Sequence, residues 1–317
     1  MNAVFLDFDT VSAGDVDTAA LEAALPGIRF FGTSSEAEVP ARVAGAEALF
    51  INKIRVDEAV FAAAPRLTLI CAAATGTDNI DLAVARQRGV AVCNIRDYCT
   101  ASVVQHVFAL LLSLNHHLEG YGKLLAAGEW RDNPQFCMLN YPITELAGRT
   151  LGIVGYGTLG SAVARAARAF GLRVVVAARP GTEATDGRKP LDAVLAEADV
   201  LSLHCPLTPA TRGLIDRAAL ARMKPTALLI NTARGALVDA QALADALRAG
   251  ALGGAGIDVL EQEPPVDGSP LLAEDIPNLI VTPHIAWAAQ AARQRAVDEM
   301  AANALAFASG ERRNRVV

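Results

Sequence analysis

A glycine-rich stretch is the first candidate for chemistry in this chain. Residues 155–160 read Gly-Tyr-Gly-Thr-Leu-Gly, directly after the apolar run TLGIV and at the start of a segment with helical apolar spacing. In such a strand–turn–helix, Gly155 makes the tight turn, Gly157 lets the backbone approach a pyrophosphate, and Gly160 brings helix and strand close. The phosphates then lie at the positive end of the helix. The pattern predicts a dinucleotide site, and the alternative is a glycine turn that only packs a strand on a helix.

The end of the next apolar run indicates which dinucleotide is bound. An acid about 20 residues after the glycines would bind the ribose 2′-hydroxyl of NAD. Here the run ends at Ala178 and Arg179, and the first carboxylate after it is Glu183. Alanine does not repel a 2′-phosphate, and the planar guanidinium suits phosphate oxygens. We therefore predict NADP(H), or tolerance of both NADP and NAD, the alternative being an ordinary exposed arginine at a strand end.

Polar residues follow the later apolar runs, and ligands of open α/β sheets bind beyond the carboxyl ends of strands. A nicotinamide enzyme that reduces a ketone needs a proton donor, a group that orients it, and a cation for a substrate carboxylate. His284, either Glu261 or Glu263, and Arg234 could fill these roles. Spacing alone does not exclude His204 as the acid.

Several motifs carry a resemblance to a known family. They are TGTDNIDLAVARQRGVAV, VVQHVFALLL, LGIVGYGTLG, INTARGALVD, GIDVLEQEP and TPHIAW. With them the chain resembles the D-isomer-specific 2-hydroxyacid dehydrogenases over nearly its whole length. Within that family it looks most like the glycerate dehydrogenases, also called hydroxypyruvate reductases, because of Asn52-Lys53, Trp130 and Trp287. It departs from such relatives at Ala178, where an acid is frequent.

The resemblance implies a role for each site residue. It places the family's substrate-binding arginine at Arg234, its glutamate at Glu263 and its proton-donating histidine at His284. Thr75 and Gly76 would bind the substrate carboxylate through backbone N–H groups, and Lys53 would contact the substrate from the opposite domain. Asp258 would hold the nicotinamide carboxamide. The full set expected at the cofactor is Gly155, Tyr156, Gly157, Thr158, Leu159, Gly160, Ala178, Arg179, His204, Cys205, Pro206, Thr232, Ala233 and Asp258.

The implied reaction is the reversible NAD(P)H-dependent reduction of a small 2-oxo acid, hydroxypyruvate or glyoxylate, to the D-2-hydroxy acid. A closer alternative is a reductase for bulkier 2-oxo acids such as phenylpyruvate. An alternative of another class is a non-enzymatic corepressor-like binder that senses dinucleotides, since such proteins can retain Arg234, Glu263 and His284.

The elements that must position these residues alternate almost from end to end, as short apolar runs and alanine-rich helical stretches. Strand candidates cover residues 4–8, 48–51, 67–71 and 90–93, then 151–155, 173–177, 200–204, 227–231, 255–259 and 279–282. This α/β pattern predicts two doubly wound parallel-sheet domains. The larger, residues 99–286, is a Rossmann dinucleotide-binding domain, and the smaller, residues 1–98 and 287–317, is a flavodoxin-like substrate domain. The smaller one is discontinuous because the last helix, residues 290–308, must bury a face and is expected to pack back on it.

Composition argues against other classes of protein. The 317 residues are 52% hydrophobic and carry a net charge of −6 with no basic block, which disfavours both disorder and a nucleic-acid partner. The longest apolar run, residues 103–114, is shorter than the ~18 residues of a membrane span, and the N-terminus does not resemble a secretory signal. We therefore expect a cytoplasmic protein without membrane contact. Five cysteines without CxxC spacing indicate neither disulfides nor a metal site. The resemblance makes a homodimer the expected assembly.

Overall fold

The chain forms two compact units. The computed structural model describes residues 1–182 and 187–317, so Glu183 lies outside the described residues. One unit comprises Met1–Cys99 with Trp287–Val317, and the other comprises Thr100–Ala286. Both are built on a parallel sheet, which confirms the predicted α/β class.

The first unit contains a five-stranded sheet in the order β2-β1-β3-β4-β5, all parallel, which is the flavodoxin-like order. Its strands are β1 (Ala3–Phe5), β2 (Arg29–Phe30), β3 (Ala48–Ile51), β4 (Leu69–Ala72) and β5 (Ala91–Cys93). Its helices are α1 (Ala19–Ala24), α2 (Val39–Val43), α3 (Glu58–Ala63), α4 (Leu82–Gln87) and α11 (Gln290–Ala308).

Burial on both faces explains why these strands read as continuous apolar runs. All four residues of β3 are buried, and a fully buried Leu, Ile or Phe side chain contributes about 1.5–3 kcal/mol. Asp57 begins α3 by accepting the backbone N–H groups of Ala59 and Val60. The C-terminal helix α11 packs on α1 and β4. It is further tied to the first unit by Asn303, whose side-chain amide donates to the Asn94 carbonyl at 2.9 Å.

The sequence-based strands of the first unit need two corrections, one to the end of a strand and one for a strand that was not predicted. The predicted strand of residues 4–8 ends at Phe5, because Phe8 begins a 3-10 turn that runs to Thr10. The strand β2 was not predicted. It is two residues long and Arg29 is exposed, so it lacks the apolar run that marks the other strands.

The described residues of the second unit form a six-stranded parallel sheet in the order β11-β10-β9-β8-β6-β7. Its strands are β6 (Thr150–Val154), β7 (Arg173–Val176), β8 (Val200–Leu203), β9 (Leu228–Asn231), β10 (Gly254–Ile257) and β11 (Leu279–Val281). Its helices are α5 (Thr100–Asn115), α6 (Leu118–Ala126), α7 (Thr158–Ala169), α8 (Leu191–Glu197), α9 (Arg217–Leu220) and α10 (Ala240–Arg248).

The strand order reverses at β6, which locates the ligand crevice of this unit. From β6 the sheet proceeds through β7 on one side and through β8 to β11 on the other. A single parallel bridge, Ala177 to Lys189, stands beside β7 in the place of a further strand. Ligands of such sheets bind beyond the carboxyl ends of the strands at the reversal, which here are the residues after Val154 and Leu203.

Among the residues that the structure describes, no helix combines the length and hydropathy that crossing a membrane requires.

Candidate active site

The glycine turn between β6 and α7 has the tight backbone geometry expected of a phosphate loop. Gly155 has φ of 93°, and a Cβ there would lie 2.5 Å from the Cys205 nitrogen. A Cβ on Gly160 would lie 2.0 Å from the Gly155 carbonyl oxygen. A Cβ on Gly157 would meet no described atom within 4 Å, so this glycine faces open space at the start of α7. These three positions match the turn, the helix packing and the phosphate approach that a dinucleotide needs.

A cavity of about 520 Å³ adjoins this turn. It is lined by most of the predicted cofactor residues, namely Gly155, Tyr156, Gly157, Ala178, Arg179, His204, Cys205 and Pro206. Thr158, Leu159 and Gly160 instead form the first turn of α7 and do not line it. The residues present fit a dinucleotide, because the open glycine turn and the cavity are continuous and arginine stands where its ribose end is expected.

The cavity is also lined by four residues that no sequence pattern predicts, Arg188, Thr208, Ala210 and Thr211. Arg188 immediately precedes Lys189, whose backbone pairs with Ala177, and this pairing brings it beside the end of β7. A one-residue bridge leaves no apolar run in the sequence, so no pattern there predicts a strand that would carry Arg188 to the cavity.

His204 is not suited to be the proton donor. Its Nε2 atom lies 2.8 Å from the Ser202 hydroxyl, and burial lowers its pKa from 6.5 to about 4. The ring is therefore neutral at physiological pH, and it lacks the second proton of the imidazolium form that a proton donor needs. Burial also raises the pKa of the neighbouring Cys205 thiol, which keeps it protonated. Both residues line the wall of the dinucleotide cavity.

His284 and Glu263 form the expected pair. The Nδ1 atom of His284 lies 2.5 Å from Glu263 Oε2, while Oε1 of the same carboxylate accepts the Leu260 N–H at 2.8 Å. Glu261 instead pairs with Arg212 at 3.0 Å, with both side chains largely exposed. The geometry thus selects Glu263 over Glu261 as the partner that orients the imidazole.

Arg234 follows β9 in a loop that its neighbours hold firmly. The buried Asn231 donates from Nδ2 to the Arg234 carbonyl at 2.9 Å and accepts the Ala233 N–H at 3.0 Å. A Cβ on Gly235 would lie 2.0 Å from the Leu260 carbonyl carbon, so this loop packs directly on the backbone beside Glu263. The structure therefore brings the loops of Arg234, Glu263 and His284 together by successive contacts.

The predicted cofactor residues Thr232 and Ala233 belong to the same loop. The Thr232 hydroxyl is buried and has no hydrogen-bond partner among the described residues. A buried hydroxyl without a partner costs free energy, so an acceptor or donor on a ligand would stabilise it.

Asp258 lies directly after β10 with its side chain wholly buried. Burial by itself would raise the pKa of this carboxyl, but hydrogen bonds from His106, Thr282 and the Ala286 and Ile285 N–H groups outweigh it and lower the pKa. The carboxylate is therefore ionised and engaged within the protein. Its contact with a nicotinamide carboxamide stays a prediction.

The predicted substrate residues Lys53, Thr75 and Gly76 belong to the first unit. The Lys53 N–H donates to the buried carboxylate of Asp7 at 2.6 Å. The Thr75 hydroxyl donates to the Ile95 carbonyl at 2.8 Å, and this holds the backbone that leads into Gly76. Asp7 is a supporting residue that the sequence analysis missed, because a single acid after a strand carries no pattern. The part of these residues in substrate binding stays a prediction.

Known proteins resemble this chain in sequence and in structure. Residues 108–286 match the model of the D-isomer specific 2-hydroxyacid dehydrogenase NAD binding domain. The chain is 44% identical over 277 residues to a glycerate dehydrogenase of Methylorubrum extorquens, covering 87% of each chain. It is 37% identical over 316 residues to a hydroxypyruvate reductase of Blautia hydrogenotrophica, covering 98% of each. Its structure is similar to that of a D-lactate dehydrogenase of Aquifex aeolicus complexed with NAD and lactic acid, with a TM-score of 0.83, 29% identity and coverage of 98% and 96%.

The chain therefore belongs to the D-isomer specific 2-hydroxyacid dehydrogenase family. It is an oxidoreductase whose second unit is a Rossmann-type domain for a nicotinamide dinucleotide.

Proposed function

We propose that this protein reduces hydroxypyruvate or glyoxylate to the D-2-hydroxy acid with NAD(P)H, and that it catalyses the reverse oxidation. The contact between His284 and Glu263, in the unit that holds the dinucleotide cavity, carries this proposal. The relatives named glycerate dehydrogenase and hydroxypyruvate reductase support the choice of a small, polar 2-oxo acid.

The side chains divide the chemistry between them. A bound nicotinamide supplies the hydride. Glu263 binds Nδ1 of His284, so Nε2 is the nitrogen that passes a proton to the carbonyl oxygen of the substrate. The imidazolium form is the form able to donate, and in that form the Glu263 carboxylate accepts the Nδ1–H. The Arg234 guanidinium would bind the substrate carboxylate through paired N–H groups and hold the reacting carbon in place, and orientation of this kind can contribute about 7–11 kcal/mol to catalysis.

We further propose that NADP(H) is preferred and NAD(H) tolerated. Arg179 and Arg188 both line the dinucleotide cavity beside Ala178, and no carboxylate is among the described residues that line it. Two guanidinium groups in this described lining suit a 2′-phosphate.

Ala178→Asp tests the cofactor proposal. The new carboxylate would repel a 2′-phosphate and accept the ribose 2′-hydroxyl, so the ratio of kcat/KM for NADPH to that for NADH should fall about tenfold or more. Binding of 2′-AMP against 5′-AMP, measured by calorimetry, gives the same comparison without turnover. An unchanged ratio in both measurements would place the ribose elsewhere.

A matrix of substrates and cofactors tests the reaction itself. Hydroxypyruvate, glyoxylate and phenylpyruvate are each assayed with NADPH and NADH, and hydroxypyruvate or glyoxylate should show the highest kcat/KM. A higher value for phenylpyruvate would favour a reductase of bulkier acids, and the absence of turnover with every acid would favour a dinucleotide-sensing binder.

The substrate residues of the first unit have their own test. Lys53→Met, which keeps the aliphatic length and removes the charge, should raise KM for hydroxypyruvate and leave the Kd of NADPH unchanged. The same measurement on Arg55→Met provides a control, because Arg55 is an exposed cation two residues away.

The proposed assembly is a homodimer. Large apolar side chains are exposed close together in residues 118–143, namely Leu118, Leu125, Trp130, Phe136, Leu139 and Ile143. Exposed large apolar side chains concentrated in one segment in this way support an interface. Phe136→Glu combined with Leu139→Glu should shift the mass measured by light scattering from dimer to monomer, and a wild-type monomer would refute the proposal. We also propose a cytoplasmic location, which the five free cysteines support.

A further inference from the structure

A partly buried polar network centred on the buried Asp258 lies beside the loop that carries His284. The Thr282 hydroxyl donates to Asp258 Oδ1 at 2.6 Å. Nε2 of His106 lies 3.0 Å from the same hydroxyl and 3.4 Å from Asp258 Oδ1. His106 belongs to α5, which packs on β9, β10 and β11. The network therefore connects the long helix α5 to the two strands whose ends bear site residues.

Asp258 holds three consecutive backbone N–H groups of the His284 loop. Its carbonyl oxygen accepts the His284 N–H at 2.8 Å. Its carboxylate accepts the Ile285 N–H at 2.9 Å through Oδ1 and the Ala286 N–H at 2.9 Å through Oδ2. Three hydrogen bonds of the loop thus go to one residue whose side chain has no exposed surface.

The loop needs this support because His284 has a backbone φ of 57°, in the left-handed region that a non-glycine residue seldom adopts. Such a conformation persists only where surrounding contacts determine it. The left-handed backbone decides where the imidazole points, and hence whether Nδ1 meets Glu263.

The protons in the network can be assigned from which groups are able to donate and which can only accept. An ionised carboxylate only accepts, so the one proton of the Thr282 hydroxyl goes to Asp258. The hydroxyl oxygen must then accept from His106, whose Nε2 carries a proton. His106 is therefore the donor at the start of a chain that runs through Thr282 and ends at Asp258, which also accepts the backbone N–H groups of the His284 loop.

We propose that His106 is a positioning residue for the reaction, acting through Thr282 and Asp258 to hold His284 in its reactive orientation. The proposal rests on the proposed function of His284 as proton donor. It assigns to His106 a task beyond the packing of α5, and His106 itself does not touch the substrate.

The experiment compares His106→Leu with His106→Gln in the full-length protein. Glutamine can place an N–H donor where Nε2 of His106 stands, and leucine cannot. In His106→Leu, amide hydrogen exchange measured by mass spectrometry should become faster in peptides covering residues 282–288, with other peptides unchanged. The kcat for hydroxypyruvate should fall about 10–100-fold, as is typical when a supporting hydrogen bond is removed, with the Kd of NADPH unchanged. His106→Gln should restore both measurements toward wild type.

Gln105→Leu is the matched control, because Gln105 is the preceding residue of α5 and is exposed. It should change neither exchange nor kcat. If His106→Leu fails to fold, Thr282→Val removes the same link with nearly the same shape, and Thr282→Ser retains it.

Unchanged loop exchange or unchanged kcat in His106→Leu would overturn the proposal, as would equal losses in the leucine and glutamine variants. Wild-type protein without turnover would count against the proposed function, and the exchange measurement would still decide whether His106 holds the loop.

Discussion

Replacing Glu263 by glutamine probes the central pair most directly. The two carboxylate oxygens have different partners, with Oε1 accepting the Leu260 N–H at 2.8 Å and Oε2 facing His284 Nδ1 at 2.5 Å. A glutamine amide has only one oxygen. If that oxygen stays on Leu260, the NH₂ group meets Nδ1 and favours a neutral ring. If it faces His284, the NH₂ group opposes the Leu260 N–H. Either arrangement leaves one contact mismatched.

The expected loss follows from the hydrogen bond removed. A hydrogen bond to a charged group contributes about 1.5–3 kcal/mol, and each 1.36 kcal/mol changes a rate about tenfold. We therefore expect kcat for hydroxypyruvate to fall about 10–150-fold in Glu263→Gln. The Kd of NADPH should not change, because Glu263 does not line the dinucleotide cavity.

Steady-state rates across a range of pH, together with NADPH binding by fluorescence, measure this effect. Glu261→Gln is the matched control, since Glu261 lies two residues away and its side chain forms an exposed ion pair with Arg212. Its kcat should equal that of wild type. A kcat for Glu263→Gln equal to wild type, or equal losses in the two variants, would refute the assignment of Glu263.

Three further predictions concern other residues of the second unit. His284→Asn, chosen because asparagine tolerates the positive φ, should lower kcat about 10²–10⁴-fold with the Kd of NADPH intact, and near-normal turnover would remove His284 as the proton donor. Arg234→Ala should lower kcat/KM for hydroxypyruvate about 30-fold or more, because it leaves the substrate carboxylate without its partner, and an unchanged kcat/KM would exclude that contact. For His204, the folded protein keeps the ring neutral to a pKa of about 4 against 6.5 when unfolded, so the free energy of unfolding should fall as the pH drops through that interval. In His204→Gln this fall should be smaller by at most about 3 kcal/mol. Solvent screening reduces the difference, because the ring is only half-buried. The same dependence of the free energy of unfolding on pH in variant and wild type, measured by urea unfolding, would contradict the assignment.

Much of the second unit could be predicted because its signals are short-range. The phosphate turn is specified within six residues, since Gly155 needs a positive φ and Gly160 must let the helix approach. Buried parallel strands such as β9 and β10 can also be recognised locally, because burial on both faces makes each of them a continuous apolar run. These features depend on residues that are neighbours along the chain.

The choice between equivalent residue types depended on contacts between distant segments. Glu261 and Glu263 are alike in type and position after β10, and they differ because one meets His284 and the other meets Arg212. His204 and His284 likewise differ through burial and partner rather than sequence context.

The place of Arg188 at the dinucleotide cavity and the contact of His106 with Asp258 could not be predicted from the sequence. Arg188 reaches the dinucleotide cavity through one backbone bridge, and His106 meets Asp258 because α5 packs on the sheet. Hydrophobic period and backbone propensity report which segments form helices and strands. They do not report which side chains from separate segments come within hydrogen-bonding distance, because that is set by how the strands pair and the helices pack.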